Sequence, residues 1–348
     1  MEKLSFDNIV KIGNKAFTKK NIELLTYEER EECIEPLFNL FRLNGIVYPD
    51  NSSKLKKSYK SLCEYSPDLN VDEVFNNSSL GTDICKYFCR SFYNSKSPGG
   101  MTMEDVFNDD KLLKKLIKNR LGMDWLKDDS KGVGVNEAFN LSPKMLLQGM
   151  RSMMLVSQIS MFKPSIAKYI CLKYSNPGDL VLDYSVGFGG RMLGAVSCNR
   201  RYIGTDPLTT PEVTEMVNYF GFEGVKLINS GSENYCGDSE CVDLCYSSPP
   251  YYNQEYYSDD KNQAYNNGKE YFYNVYWEKT LQNAKRMLKT GKVFGLNVKN
   301  YPKMVDMARE EFGAEVESIA LRTVRSHLAH KEKNGNEKSE YIYIFRKD

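Results

Sequence analysis

From residue 180 onward, short and largely apolar blocks alternate with longer amphipathic ones. The blocks at 180–183, 201–206, 225–229, 242–246 and 293–298 read as strands, and those at 191–197, 211–219 and 271–288 read as helices. Runs of a few apolar residues bounded by turn signals fit strands buried on both faces. Strand and helix in alternation predict βαβ units and a parallel sheet covered by helices on both sides. Two further strand-like runs, 314–324 and 340–345, enclose a basic loop at 326–338. They predict a terminal antiparallel hairpin, which brings the α/β sheet to seven strands.

Residues 1–145 read differently, as a mainly helical N-terminal region with no internal repeat. Ile34, Leu37, Phe38 and Phe41 form a helical stripe within 27–44. A second helix over 82–93 stops at the breaker NSKSPGG, 94–100. Within 111–121, Leu112, Leu113, Leu116 and Ile117 make one face, while Lys111, Lys114, Lys115, Lys118 and Arg120 crowd the other. Such a basic helix is either a solvated surface or a track for a phosphate backbone. The loop DDSKGVG, 128–134, is the expected boundary, dividing the chain into 1–145 and 146–348. Residues 150–174 predict one or two helices interrupted at Phe162, Lys163, Pro164 and Ser165, with Ser165 placed as a cap.

Composition narrows the classes. The formal net charge is +1, and the first 150 residues balance acid and base, so any nucleic-acid contact must come from a local patch. No apolar run reaches membrane length. The opening MEKLSFDNIVK has no apolar signal core, so a cytoplasmic protein is expected. Nine scattered cysteines and two histidines, His327 and His330, predict reduced, buried thiols and no metal site.

The chemistry concentrates where the 242–246 strand meets Ser247, Ser248, Pro249, Pro250 and Tyr251. The two prolines offer no N–H and stop the strand. Taken alone, the segment is either a capped strand end or a surface for an amine: the Ser248 hydroxyl and Pro249 carbonyl accept two N–H groups, and Tyr251 stacks on a base. Upstream, VLDYSVGFGGR runs an apolar strand into Asp183 and a loop holding Ser185, Gly187 and Gly189. Glycines there allow φ > 0 and close approach of a ligand, a dinucleotide as readily as any other. Asp206 and Pro207 end the next strand, where a carboxylate can accept ribose hydroxyls. Ser232 and Glu233, after the third strand, can line an adenine. All four segments leave the carboxyl ends of consecutive strands, the ligand edge of open α/β sheets.

These motifs in this order resemble the S-adenosylmethionine-dependent amino-methyltransferases of DNA, with their Asp-x-x-x-Gly-x-Gly and Ser-Pro-Pro-Tyr loops. More narrowly, FKPSIAKYI, VLDYSVGFGGR and SSPPYYNQEYYS look like methyltransferases of phages and mobile elements. The resemblance covers about 150–348 and implies a Rossmann-like methyltransferase fold. It implies backbone cofactor contacts at Gly187 and Gly189, Asp183 on the methionine amino group and Asp206 on the ribose. Phe162, Lys163 and Ser165 would lie at the methionine end, and Ser248, Pro249, Pro250 and Tyr251 at the target base. It further implies methylation of an exocyclic amine on a flipped DNA base, cytosine N4 before adenine N6 because the loop carries serine. Tyr252 is a second stacking candidate, and Lys114, Lys115 and Lys118 are the candidate DNA contacts. The stretch from Gly189 to Ser248 is too short for a target-recognition domain. Recognition is therefore expected from the N-terminal region and the loops 253–269 and 326–338. An RNA amine methyltransferase and an inactive fold that binds nucleic acid or a partner are the rival readings.

Overall fold

The computed structural model describes residues 22, 25–71, 73–75, 78–123, 141, 143–157, 159–299, 301–322 and 340–348. The expected boundary loop 128–134, the loop 326–338 and both histidines lie outside the described residues. The chain forms two compact units, Met1–Asp50 with Tyr93–Ile159, and Asn51–Phe92 with Ser160–Asp348. Segment 51–92, read from sequence as part of the N-terminal region, therefore belongs to the sheet unit. No helix among the described residues is long and apolar enough to cross a membrane.

The sheet unit holds eight strands: β1 (Glu73–Phe75), β2 (Leu180–Asp183), β3 (Arg201–Thr205), β4 (Val225–Ile228), β5 (Val242–Ser247), β6 (Leu288–Val298), β7 (Glu317–Arg322) and β8 (Glu340–Arg346). Their order is β1-β7-β8-β6-β5-β2-β3-β4. Every pairing is parallel except those of β8, which runs antiparallel between β6 and β7. The seven strands from β2 onward make the Rossmann-like methyltransferase arrangement with its C-terminal antiparallel hairpin. β1 is an eighth strand, three residues long, that the sequence did not announce. The order reverses between β2 and β5, and at such a switch point the loops leaving the carboxyl ends part to form a crevice.

β5 is buried along its whole length and ends where Pro249 and Pro250 follow. Beneath it, Tyr184 stacks on Phe294 at 5.6 Å, and Phe294 stacks on Phe312 at 4.6 Å. The helix Pro164–Tyr174 starts with proline in its first turn, where the missing N–H costs nothing. Lys163 holds the cap position without a side-chain bond, and Ser165 is buried inside the helix, so it is not the cap the sequence predicted. This helix lies on the helix Gly190–Val196 at two glycines. A Cβ at Gly190 would sit 2.3 Å from the Phe162 carbonyl oxygen, and one at Gly194 would sit 2.5 Å from the Ala167 Cβ. The close approach fixes Phe162 and Lys163 beside the turn after β2. The single helix predicted over 271–288 is instead α-helical at Gly268–Tyr271, π-helical at Phe272–Trp277 and α-helical again at Glu278–Met287.

The other unit is helical. The stripe at 27–44 divides at Cys33 into Tyr27–Glu32, opened by a Thr26–Glu29 capping box, and Ile34–Asn44. The basic helix, Asp110–Arg120, buries Leu113, Leu116 and Ile117 as predicted. Arg120 is buried with them rather than standing on the charged face.

Candidate active site at the carboxyl edge of the sheet

Gly187 and Gly189 take φ of 54° and 79° in the turn after β2, a left-handed backbone that side chains disfavour. This turn aims its amides at the next strand end: the Gly187 N–H donates to Asp206 Oδ2 at 3.0 Å. Asp206 Oδ1 accepts the Leu208 and Thr209 N–H groups at 2.9 Å each. Burial raises the Asp206 carboxyl above its ordinary range, and the three N–H donors only partly offset this. Asp206 and Pro207 are half-buried as residues at the end of β3.

Asp183 is different. It is fully buried, and both its oxygens are taken. Oδ1 accepts the Ser185 N–H at 3.0 Å and the Ser247 hydroxyl at 2.6 Å; Oδ2 accepts Arg191 Nε at 2.8 Å and the Tyr202 hydroxyl at 2.5 Å. Arg191 donates again to the Ser185 carbonyl and lies 5.1 Å over the Phe162 ring. Phe162 meets Tyr246 edge-on at 5.8 Å. Asp183 thus clamps β2, β3, β5 and the glycine turn together, with the Arg191 guanidinium as its charged partner.

On the far wall, Ser185 Oγ and the Tyr276 hydroxyl are 3.4 Å apart, and Ser232 Oγ meets Thr280 Oγ1 at 2.6 Å. Glu233 Oε1 accepts the Tyr271 hydroxyl at 3.1 Å, whereas Oε2 is buried with no partner among the described residues. A buried carboxylate oxygen without a donor is costly unless a ligand supplies one. The glycine turn, the Asp206 carboxylate beside it and the orphaned Glu233 oxygen together fit an adenosyl group carrying hydroxyl and amine donors.

At the end of β5, Pro249 is buried while Ser248, Pro250, Tyr251 and Tyr252 are half-buried. The Ser248 hydroxyl lies against the Tyr251 phenol. Tyr251 stacks on Tyr301 with centroids 5.0 Å apart and planes 10° from parallel, and its oxygen accepts the Lys299 N–H at 3.1 Å. Burial, with Glu340 and Glu255 nearby, holds the phenol well above its usual range. One face of Tyr251 is thus occupied by a tyrosine that no sequence motif flagged. Tyr252 leans on Phe272 at 5.5 Å, and its carbonyl accepts the Tyr301 hydroxyl, which gives it a packing role. Lys114, Lys115 and Lys118 belong to the other unit, where Lys114 pairs with Glu35 at 2.5 Å and lies 4.7 Å over Phe38.

Residues 242–348 match the family model N6_N4_Mtase, DNA methylase. No curated protein matches the chain. Among solved structures, TrmN from Thermus thermophilus is 16% identical with a TM-score of 0.38, over 53% of this chain and 48% of that one. The chain therefore spans about half the length of that protein. A methyltransferase from Pyrococcus furiosus is 19% identical with a TM-score of 0.36, over 53% and 82% of the two chains. The tRNA (m1A58) methyltransferase TrmI from Aquifex aeolicus is 13% identical with a TM-score of 0.38, over 62% and 81%. Residues 242–348, which open with β5 and its SSPPY loop, are thus similar in sequence to a DNA methylase and lie in a Rossmann-like sheet.

Proposed function

We propose that the protein transfers a methyl group from S-adenosylmethionine to an exocyclic amine of a DNA base, cytosine N4 before adenine N6. The observation that carries this reading is the meeting of two loops at the β2/β5 switch point. The SSPPY loop leaves β5 beside the glycine turn of β2, and the DNA methylase match begins at that same strand. When bound, S-adenosylmethionine supplies an electrophilic methyl on a sulfonium sulfur. Gly187 and Gly189 hold it through the backbone, Asp206 takes the ribose, and Ser232 and Glu233 line the adenosine. Phe162, Lys163 and Ser185 border the methionine end. Asp183, with every acceptor site filled, acts as the brace that keeps Arg191 and the turn in place.

The target nitrogen is a weak nucleophile because its lone pair is delocalised into the ring. Ser248 Oγ and the Pro249 carbonyl accept its two N–H groups and draw the nitrogen toward tetrahedral geometry, while alignment with the methyl carbon does the rest. Tyr251, fixed by Tyr301, holds the ring. A base inside a duplex cannot reach this crevice, so it is flipped out. Lys115 and Lys118 contact the phosphate backbone. Nucleoside mass spectrometry of DNA from cells expressing the protein should show N4-methylcytosine, or N6-methyladenine in its place. Methyl groups found only on carbon 5 of cytosine, or only in RNA, would overturn the reading.

A further inference from the structure

The loop that follows SSPPY carries a further carboxyl group. Glu255 is half-buried, four residues beyond Tyr251. Its Oε2 accepts the Tyr251 N–H at 3.4 Å and the Tyr257 hydroxyl at 2.8 Å, while Oε1 takes no hydrogen bond among the described residues. Tyr257 sets its ring 6.1 Å from Phe188, which lies between the two left-handed glycines of the cofactor turn. Its N–H, with that of Ser258, donates to the Tyr265 hydroxyl at 2.9 and 3.0 Å, so the loop is pinned at its base. Glu255 therefore ties the amine-binding loop to Tyr257, whose ring lies beside the cofactor turn, with one carboxylate oxygen unclaimed.

We propose that Glu255 accepts the proton that the target amine gives up, an inference that rests on the methyl-transfer reading above. As the amine nitrogen bonds to the methyl carbon, the carbon–sulfur bond breaks and its electron pair returns to sulfur. Nitrogen is left positively charged with one hydrogen too many. That proton moves to Glu255 Oε1, and from there to water, leaving a neutral secondary amine.

The surroundings suit the task. Burial raises the Glu255 carboxyl from its ordinary 4.5 to about 7; the Tyr257 hydroxyl and the Tyr251 N–H pull it down, Glu340 on β8 pushes it up, and Arg191 pulls it down. Tyr301 faces the same carboxyl, and Lys299 stands beside Glu340. A proton acceptor is most effective when it titrates near the working pH.

The test uses the full chain, tritiated S-adenosylmethionine and unmethylated plasmid DNA in single turnover across pH 5.5–9. Wild type should show a limb rising through about pH 7. Glu255→Gln should lose that limb and about a hundredfold or more in rate, the usual worth of a positioned base, with cofactor affinity by calorimetry unchanged. Tyr257→Phe keeps the carboxyl but removes a donor to its charged form, so the limb should move to higher pH. Melting supplies a readout that needs no substrate. A carboxyl raised in the fold favours the fold below its unfolded value and loses that contribution as pH rises through about 7. The melting temperature of Glu255→Gln, relative to wild type, should therefore climb between pH 5 and 7. An active wild type whose Gln and Phe variants keep both limb and rate, or a rate that falls rather than rises through pH 7, overturns the proposal alone. A wild type inert on DNA overturns the methyl-transfer reading and the proposal together.

Discussion

Two acids that look alike in the sequence, each closing a strand ahead of a loop, do different work. Asp183 meets a guanidinium, two hydroxyls and an amide and has nothing left to offer a ligand. Asp206 spends its bonds on backbone N–H groups at the end of β3. Charged hydrogen bonds contribute ~1.5–3 kcal/mol each, so Asp206→Ala should weaken S-adenosylmethionine binding more than tenfold in calorimetry, and it should also lower the melting temperature because three N–H groups lose their acceptor. Asp183→Asn should act first on the fold, and on the cofactor only through the turn it braces. Stranding the buried Arg191 costs ~3–5 kcal/mol, visible as a fall in melting temperature before any cofactor is added. The positions of both acids were legible, because strand, acid and glycine follow one another in the chain. Their division of labour was not, since Tyr202 and Ser247 reach Asp183 only once three strands lie side by side. Arg191 ends the run VLDYSVGFGGR, where its one signal is a charge at the start of an apolar helix. Tyr301 and Glu340 carried no signal at all, being brought to Tyr251 by β6 and β8.

At the scale of elements, strands were easier to read than helices. Short apolar blocks between glycines and prolines gave β2 to β6 within a residue or two, except that β6 begins at Leu288, directly from the preceding helix. β1 was invisible because three residues carry no period. The run 271–288 has helical spacing throughout, yet its first part winds as a π-helix. That extra residue per turn reaches across the sheet end, burying Trp277 while placing Tyr276 against Ser185. The basic helix was half legible. Its buried stripe follows from spacing, but spacing could not show that Glu35, on another helix, pairs with Lys114. With Lys114 engaged and Arg120 buried, the proposed DNA contacts reduce to Lys115 and Lys118. Replacing both by Ala should lower the slope of log affinity against log salt by ~0.9 per lost contact, measured by fluorescence anisotropy on duplex DNA. Replacing Lys114 should leave the slope unchanged, and a slope indifferent to all three would make this helix plain solvated surface.

At the scale of the whole molecule, the chain crosses between its units more than once. The sheet unit recruits 51–92 from a stretch whose composition resembles its helical neighbours. β1 pairs with β7. Tyr59 packs on Phe220 and Phe222 at 5.2 and 5.0 Å, and Phe88 packs on Tyr219 at 5.4 Å. Lys168, buried in the helix Pro164–Tyr174, donates to the Leu62 and Cys63 carbonyls at 2.8 and 2.7 Å, and Tyr169 donates to the Val71 carbonyl at 3.1 Å. A fragment of residues 146–348, cut where sequence composition changes, would lose all of these. Leu55, Leu62, Ile84 and Phe88 are buried, and at ~1.5–3 kcal/mol per large apolar side chain they represent about 6–12 kcal/mol of burial. Lys168 would keep its charge in an apolar setting without acceptors, at a further cost of ~1–3 kcal/mol or more. The sum rivals the ~5–15 kcal/mol by which whole domains are stable. The fragment should therefore show no cooperative melt and should bind a hydrophobic dye at room temperature, where the full chain melts sharply. Because the cofactor turn hangs on that same helix through Gly190 and Gly194, the fragment should also fail to bind S-adenosylmethionine. A cooperative melt with normal cofactor affinity would show that 51–92 is an ornament on the sheet rather than part of its core.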